Sequence, residues 1–203
     1  MTCSPLASRR RALLGLAAPL LLSLTPDSAD AKTHTRHHSS RRGAKTGPDV
    51  LPPERTLTLH HQQTGERLRA TYYADGRYQP ETLHAVDRLL RDWHQDRTRP
   101  TDPRLLDLVW LLRQRLESDA PVEVLCGYRT PETNALLRRT SEGVARNSLH
   151  MRAMAMDLRI PGRSLRAVQA AALGLRRGGV GYYPQHAFVH VDTGPVRHWA
   201  FGI

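Results

Sequence analysis

Ser148-Leu149-His150-Met151-Arg152-Ala153-Met154-Ala155-Met156-Asp157 sets a histidine and a carboxylate seven residues apart, the carboxylate within a run that reads as a strand. Over residues 153–160 the side chains alternate. Ala153, Ala155, Asp157 and Arg159 share one face, and Met154, Met156, Leu158 and Ile160 the other. Period two belongs to extended chain, and a strand with one apolar and one small-or-charged face lies on a core and looks into a crevice. His186-Ala187-Phe188-Val189-His190-Val191-Asp192 repeats the design, with His186, Phe188, His190 and Asp192 opposite Ala187, Val189 and Val191. If the two strands pair, Asp157 and His190 sit side by side with His150 above them. Two imidazoles and one carboxylate are a ligand set for zinc with its fourth position open.

Around these strands the punctuation predicts an α+β domain over residues 54–203. From Thr56 a strand pattern runs through Leu57 and Leu59, breaks at Thr64-Gly65 and resumes at Leu68, which reads as a hairpin with His60 and His61 on its surface. Pro80 opens a helix over residues 81–93, and Asp102-Pro103 opens another to about residue 117; both carry broad apolar stripes. Residues 122–125 form a short buried strand. Thr130 and Pro131 then cap and start a helix over residues 131–139, which leaves Arg129 at a strand-to-helix junction, a common place for a working residue. Ser164 caps a helix over residues 165–177 closed by Gly178-Gly179, and a closing hairpin and a last strand follow. The expected architecture is a small antiparallel sheet carrying the site, with helices over its apolar face.

The remaining residues read as address and tether. Ser8-Arg9-Arg10-Arg11, an apolar run over residues 12–24 and Ala29-Asp30-Ala31 follow the order of a secretory leader. The pair Arg10-Arg11 resembles a twin-arginine export signal, and cleavage is expected after Ala31, giving a leader over residues 1–31. The apolar run of 13 residues is too short for a bilayer, which needs ~20. Residues 32–53 are basic, nearly free of acid and poor in apolar groups, a disordered tether. Cys126 is the one cysteine outside the leader, so no internal disulfide forms; it reads as a small core residue. The formal net charge is +11. With no nucleic-acid module and an export signal, that charge suits an anionic cell-wall polymer better than nucleic acid.

The pattern Ser148-x-His150-x-x-Ala153-x-Ala155-x-Asp157, with Gly127-Tyr128-Arg129 upstream and a histidine in a late strand, resembles the zinc D-Ala-D-Ala peptidases. That superfamily also holds the lysostaphin-type endopeptidases and the hedgehog signalling domain. The closing run Gly178-Gly-Val-Gly-Tyr-Tyr-Pro184, with Phe188 to Gly194 and Arg197-His-Trp199, is similar to the YcbK-like branch of exported proteins related to murein endopeptidases. The resemblance spans roughly residues 56–203. It implies His150, Asp157 and His190 as zinc ligands, and Arg129 and Ser148 as residues that bind substrate or stabilise the oxyanion. The implied activity is a zinc metallopeptidase acting on peptidoglycan stem peptides and cross-links, periplasmic or in the cell wall. It would work as a monomer without nucleic acid or, after leader cleavage, membrane.

Two positions depart from the superfamily pattern. Ala153 stands where glycine is usual. Better-known relatives carry a glutamate or histidine as general base a few residues before the last ligand, where this chain has Gln185, His186 and Phe188. Asp192, on the face of His190, is the better-placed base, and His186 is the alternative. Asp192 would serve equally as a carboxylate that orients a ligand. The missing base motivates a competing reading, a cell-wall-binding protein that keeps the fold without turnover.

Overall fold

A computed structural model describes residues 51–202. The expected leader, residues 1–31, and most of the tether lie outside the described residues. Eight strands and four helices follow in the order β1 (Arg55–His61), β2 (Arg67–Ala74), β3 (Arg77–Tyr78), α1 (Pro80–Leu89), α2 (Pro103–Arg115), β4 (Val122–Cys126), α3 (Pro131–Thr140), β5 (Ala155–Arg159), α4 (Leu165–Leu175), β6 (Gly179–Tyr183), β7 (Phe188–Asp192) and β8 (Arg197–Ala200). Among the described residues no helix is long and apolar enough to cross a membrane.

All eight strands join one sheet in the order β3-β2-β1-β4-β5-β7-β6-β8. The α+β class holds, but the sheet is neither small nor purely antiparallel. β1 runs parallel to β4, because α1 and α2 carry the chain across between them, and β8 returns parallel to β6. Alternation within a strand reports its two faces and says nothing of which distant strand lies beside it. The entrance hairpin is therefore not an appendage: Leu57 and Leu59 of β1 are fully buried in the common core.

The two motif strands pair as their patterns require. β5 and β7 are antiparallel, with Asp157 opposite His190 and Met156 opposite Val191. Met156, Leu158, Val189 and Val191 have no exposed surface and form the covered face. α4, capped by Ser164 accepting from the Ala167 amide, packs on β6 and β7. At ~25 cal/mol per Å2 of apolar surface, each such side chain contributes roughly 1.5–3 kcal/mol of burial. The opposite face is left for polar side chains.

Several ends differ from expectation for tertiary reasons. α1 stops at Leu89 instead of running to residue 93, because the Leu90 carbonyl accepts the Tyr128 amide (2.7 Å) and Asp92 turns back to pair with Arg97. Gly127 permits this approach, since a Cβ there would stand 2.6 Å from the Leu90 oxygen. α4 ends at Leu175, and Gly179 belongs to β6. His61 is not a surface residue. It is 1 % exposed, with Nδ1 accepting from the Gln63 and Thr64 amides (3.3 and 3.4 Å) at the β1–β2 turn.

Each motif strand starts two residues later than its alternation suggests, β5 at Ala155 and β7 at Phe188, because a tight turn precedes it. Leu149–Arg152 is a 3-10 turn capped by Ser148, whose Oγ accepts from the His150 amide, and Ala153 follows in the left-handed region at φ 53°. Such backbone suits glycine and costs an L-residue ~1–2 kcal/mol. A glycine at this position would take that backbone angle without strain. Likewise Pro184–His186 is a 3-10 turn and Ala187 is left-handed at φ 55°. The alternation thus begins at Phe188, and His186 does not share the face of His190.

Candidate metal centre

His150, Asp157 and His190 converge on one point. His150 Nε2 lies 3.2 Å from Asp157 Oδ1 and 3.2 Å from His190 Nδ1, and His190 Nδ1 lies 2.9 Å from Asp157 Oδ1. Ligands held at ~2.0–2.1 Å in a tetrahedron stand about 3.3 Å apart, so this triangle has the dimensions of one face of a zinc site. The fourth direction opens on a pocket lined also by Arg129, Glu142, Asn147, Ser148, Tyr183 and Trp199.

Both imidazoles are held in the tautomer that a metal needs. His150 Nδ1 donates to the Gly127 carbonyl (2.7 Å), an oxygen that only accepts, so Nε2 carries the lone pair. His190 Nε2 donates to Asp192 Oδ2 (3.1 Å), so Nδ1 carries it. Orienting partners of this kind fix ring position and raise ligand basicity. In the metal-free cluster protons compete with a cation for these nitrogens. Burial opposes charge on all three groups, yet the Asp157 charge outweighs it and lifts His150 to about 8. His190 is also raised, by hydrogen bonds to Asp157 and Asp192 against its burial. Burial would raise Asp157, but the two histidines hold its carboxyl well below the usual range. The cluster therefore stabilises positive charge at its centre.

A further donor approaches. Ligand atoms of Cys126, His150 and Asp157 lie within 4.8 Å of one another, with Cys126 buried opposite Asp157 in the β4–β5 register. That grouping leaves out His190, but the His150–Asp157–His190 triangle is tighter, and both of its histidines have an orienting acceptor. Cys126 thus sits beneath the site as well as in the core. Nothing in the spacing of Cys126 from the motif announced this, since the contact comes from strand register.

The structure places Asp192 behind His190 rather than in the pocket. It has no exposed surface. Oδ1 accepts from the Gly179 amide (3.0 Å), the Gly194 amide (2.8 Å) and Arg197 Nη1 (3.1 Å), and Oδ2 from His190 Nε2 and from Arg197 Nη2 (2.7 Å). A carboxylate so engaged, and held well below its usual range despite burial, has the partners of a residue that orients His190, the second of the two roles expected for it. His186 is outside the pocket lining as well. Arg129 is 7 % exposed and lines the pocket, its amide donating to the His150 carbonyl (3.2 Å). Ser148 lines it too, where capping the turn sets the position of His150.

Sequence reading missed the role of the glycine run in β6. Gly181 stands between His190 of β7 and Trp199 of β8 in register, and a Cβ there would meet the Trp199 ring at 2.7 Å. Trp199 therefore lies across Gly181 with its ring centroid 5.1 Å from that of His190. Gly179 likewise leaves room for the Arg197–Asp192 pair. Tyr183 and Glu142 were also not singled out, and Glu142 is the carboxylate besides Asp157 among the described residues that line the pocket.

Comparison with known proteins gives the family of the chain. A family model described as "Peptidoglycan L,D-endopeptidase MepK" matches residues 51–199. The chain is 44 % identical over 149 residues to the peptidoglycan L,D-endopeptidase MepK of Escherichia coli strain K12, covering 73 % of this chain and 81 % of the relative. It is 44 % identical over 149 residues to the probable peptidoglycan L,D-endopeptidase MepK of Haemophilus influenzae, covering 73 % and 80 %. The chain belongs to the peptidoglycan L,D-endopeptidase MepK family.

Proposed function

We propose that this protein is a zinc-dependent endopeptidase that hydrolyses a peptide bond between an L- and a D-configured centre in peptidoglycan cross-links. The observation that supports it most is the 2.9–3.2 Å triangle of His150 Nε2, Asp157 Oδ1 and His190 Nδ1, with both histidines in the receptive tautomer. These three residues are the ligands. Zinc held there supplies a water of pKa ~7 and polarises the scissile carbonyl.

The chain's own groups do the rest. Asp192 acts through His190 and holds its Nε2 proton. Arg129, buried at the pocket wall, offsets negative charge developing on the reacting carbonyl or grips a stem-peptide carboxylate. Ser148 sets His150 and borders the substrate. Glu142 is the carboxylate left to take a proton from the attacking water. The leader over residues 1–31 delivers the enzyme outside the cytoplasm, and the basic tether of residues 32–53 meets the anionic wall.

The test uses the purified protein with cross-linked muropeptides, with and without a chelator, followed by zinc. Loss of cross-links that stops on chelation and returns with zinc is expected. Muropeptide binding without cleavage, with zinc present, would favour the non-catalytic wall-binding protein instead.

A further inference from the structure

Tyr183 ends β6 at the rim of the pocket, half-buried. Its ring stacks on Phe188 with centroids 4.5 Å apart and planes 16° apart, which fixes the direction of the phenol. The Trp199 indole Nε1 donates to the Tyr183 oxygen at 2.8 Å. An indole N–H only donates, so one phenol lone pair is occupied and the phenol cannot give its proton to Trp199. Trp199 is itself placed by the bare backbone of Gly181, against the ring of the ligand His190. Three aligned strands therefore carry one chain of contacts, from ligand to indole to phenol.

This is more than core packing. A tyrosine buried for its ring alone has no need of an aimed donor on its oxygen, and this residue lines the cleft into which the ligand triangle opens. Burial raises the phenol above its ordinary value, so it keeps its proton at neutral pH. Tyr183 lines one pocket together with His150, Asp157, His190 and the buried Arg129.

We propose that Tyr183, aimed by Trp199, is a catalytic residue that donates a hydrogen bond from its phenol to the oxygen of the scissile carbonyl as negative charge builds there. This rests on the endopeptidase reading above. An N–H donated to a phenol oxygen strengthens that phenol as a donor, because hydrogen-bonded groups polarise one another in a buried site. The bond counts only as charge develops, so its loss falls on kcat.

The test compares zinc-loaded wild type, Tyr183→Phe and Trp199→Phe on a cross-linked muropeptide. Tyr183→Phe keeps the ring that stacks on Phe188. It is expected to lower kcat about 100- to 1000-fold, the usual cost of one oxyanion donor, with KM and zinc affinity changed less than threefold. A phosphinate analogue of the substrate, which mimics the tetrahedral oxyanion, should lose affinity for Tyr183→Phe by the same factor as kcat/KM, while product affinity stays unchanged. Trp199→Phe should lower kcat by a smaller factor in the same direction. If wild type cleaves and Tyr183→Phe keeps its kcat, the inference fails and the endopeptidase reading stands. If zinc-loaded wild type does not cleave, that reading fails first. A fall in kcat without a matching loss of phosphinate affinity assigns Tyr183 a structural role and also overturns the inference.

Discussion

Replacing Asp192 with asparagine separates two roles that one carboxylate beside a metal ligand could play. The geometry dictates how asparagine would sit. Three donors surround Oδ1, the Gly179 and Gly194 amides and Arg197 Nη1, at 3.0, 2.8 and 3.1 Å. The asparagine oxygen must take that position, because the amine would face three donors there. Its amine then replaces Oδ2 and points at His190 Nε2 (3.1 Å) and Arg197 Nη2 (2.7 Å). Arg197 has 42 % of its side chain exposed and can turn to water. His190 is buried and cannot, so it shifts its proton to Nδ1, the atom that faces the metal position. Loss of such an orienting partner costs metal affinity about 10- to 100-fold, or roughly 1.4–2.7 kcal/mol. Zinc competition against a chromophoric chelator should show this rise in Kd, with kcat at saturating zinc reduced less than tenfold. A melt of the metal-free variant controls for folding. Unchanged zinc affinity with kcat reduced 100-fold or more, the scale of a lost general base, would refute the orienting role.

Three further predictions follow the same logic. Ala153→Gly relieves the left-handed strain at φ 53° but loses a buried methyl and frees the unfolded chain. The ~1–2 kcal/mol of strain relieved is about matched by ~0.8 kcal/mol for the methyl and ~0.5–1 kcal/mol for the freed backbone, so urea melts should place the variant within about 1 kcal/mol of wild type, whereas Ala153→Val should lose more than ~2; equal melts for both would refute the strain. Burial holds His61 down to about 4, against 6.5 when exposed, so the stability it lends is intact above pH 6.5 and is lost as pH falls toward 4. That interval amounts to about 3 kcal/mol, and His61→Asn, which keeps an acceptor near the Nδ1 position, should flatten the difference between melts at pH 7.5 and 4.5. Glu142→Gln should lower kcat at least ~100-fold with zinc affinity unchanged, and full activity would remove Glu142 as the proton acceptor.

The parts of the site legible in sequence were those that a strand or a cap writes locally. Met156 and Leu158 against Asp157, and Val189 and Val191 against His190, differ in polarity because the two faces of one sheet meet different surroundings. Thr130 accepting from the Thr133 amide and Ser164 from the Ala167 amide are caps a reader can find without knowing the fold. What stayed hidden was set by backbone angle or by register. Ala153 and Ala187 carry left-handed φ values that no alternation reveals, and the latter takes His186 off the face on which period two had put it. Cys126 reaches Asp157 and Trp199 reaches His190 only because β4, β5, β7, β6 and β8 lie in that order, with β8 parallel to β6. The glycines of β6 carry the same lesson. Gly179 and Gly181 look like loose punctuation after a helix, and Gly179 was read as a helix stop. Across the sheet each is a gap of one side chain's width, filled by Arg197 behind Asp192 and by Trp199 beside His190. A residue that holds the metal can be found by the donor it offers. A residue that aims the holder is defined by the space another leaves for it, and that space exists only once strands distant in sequence have paired.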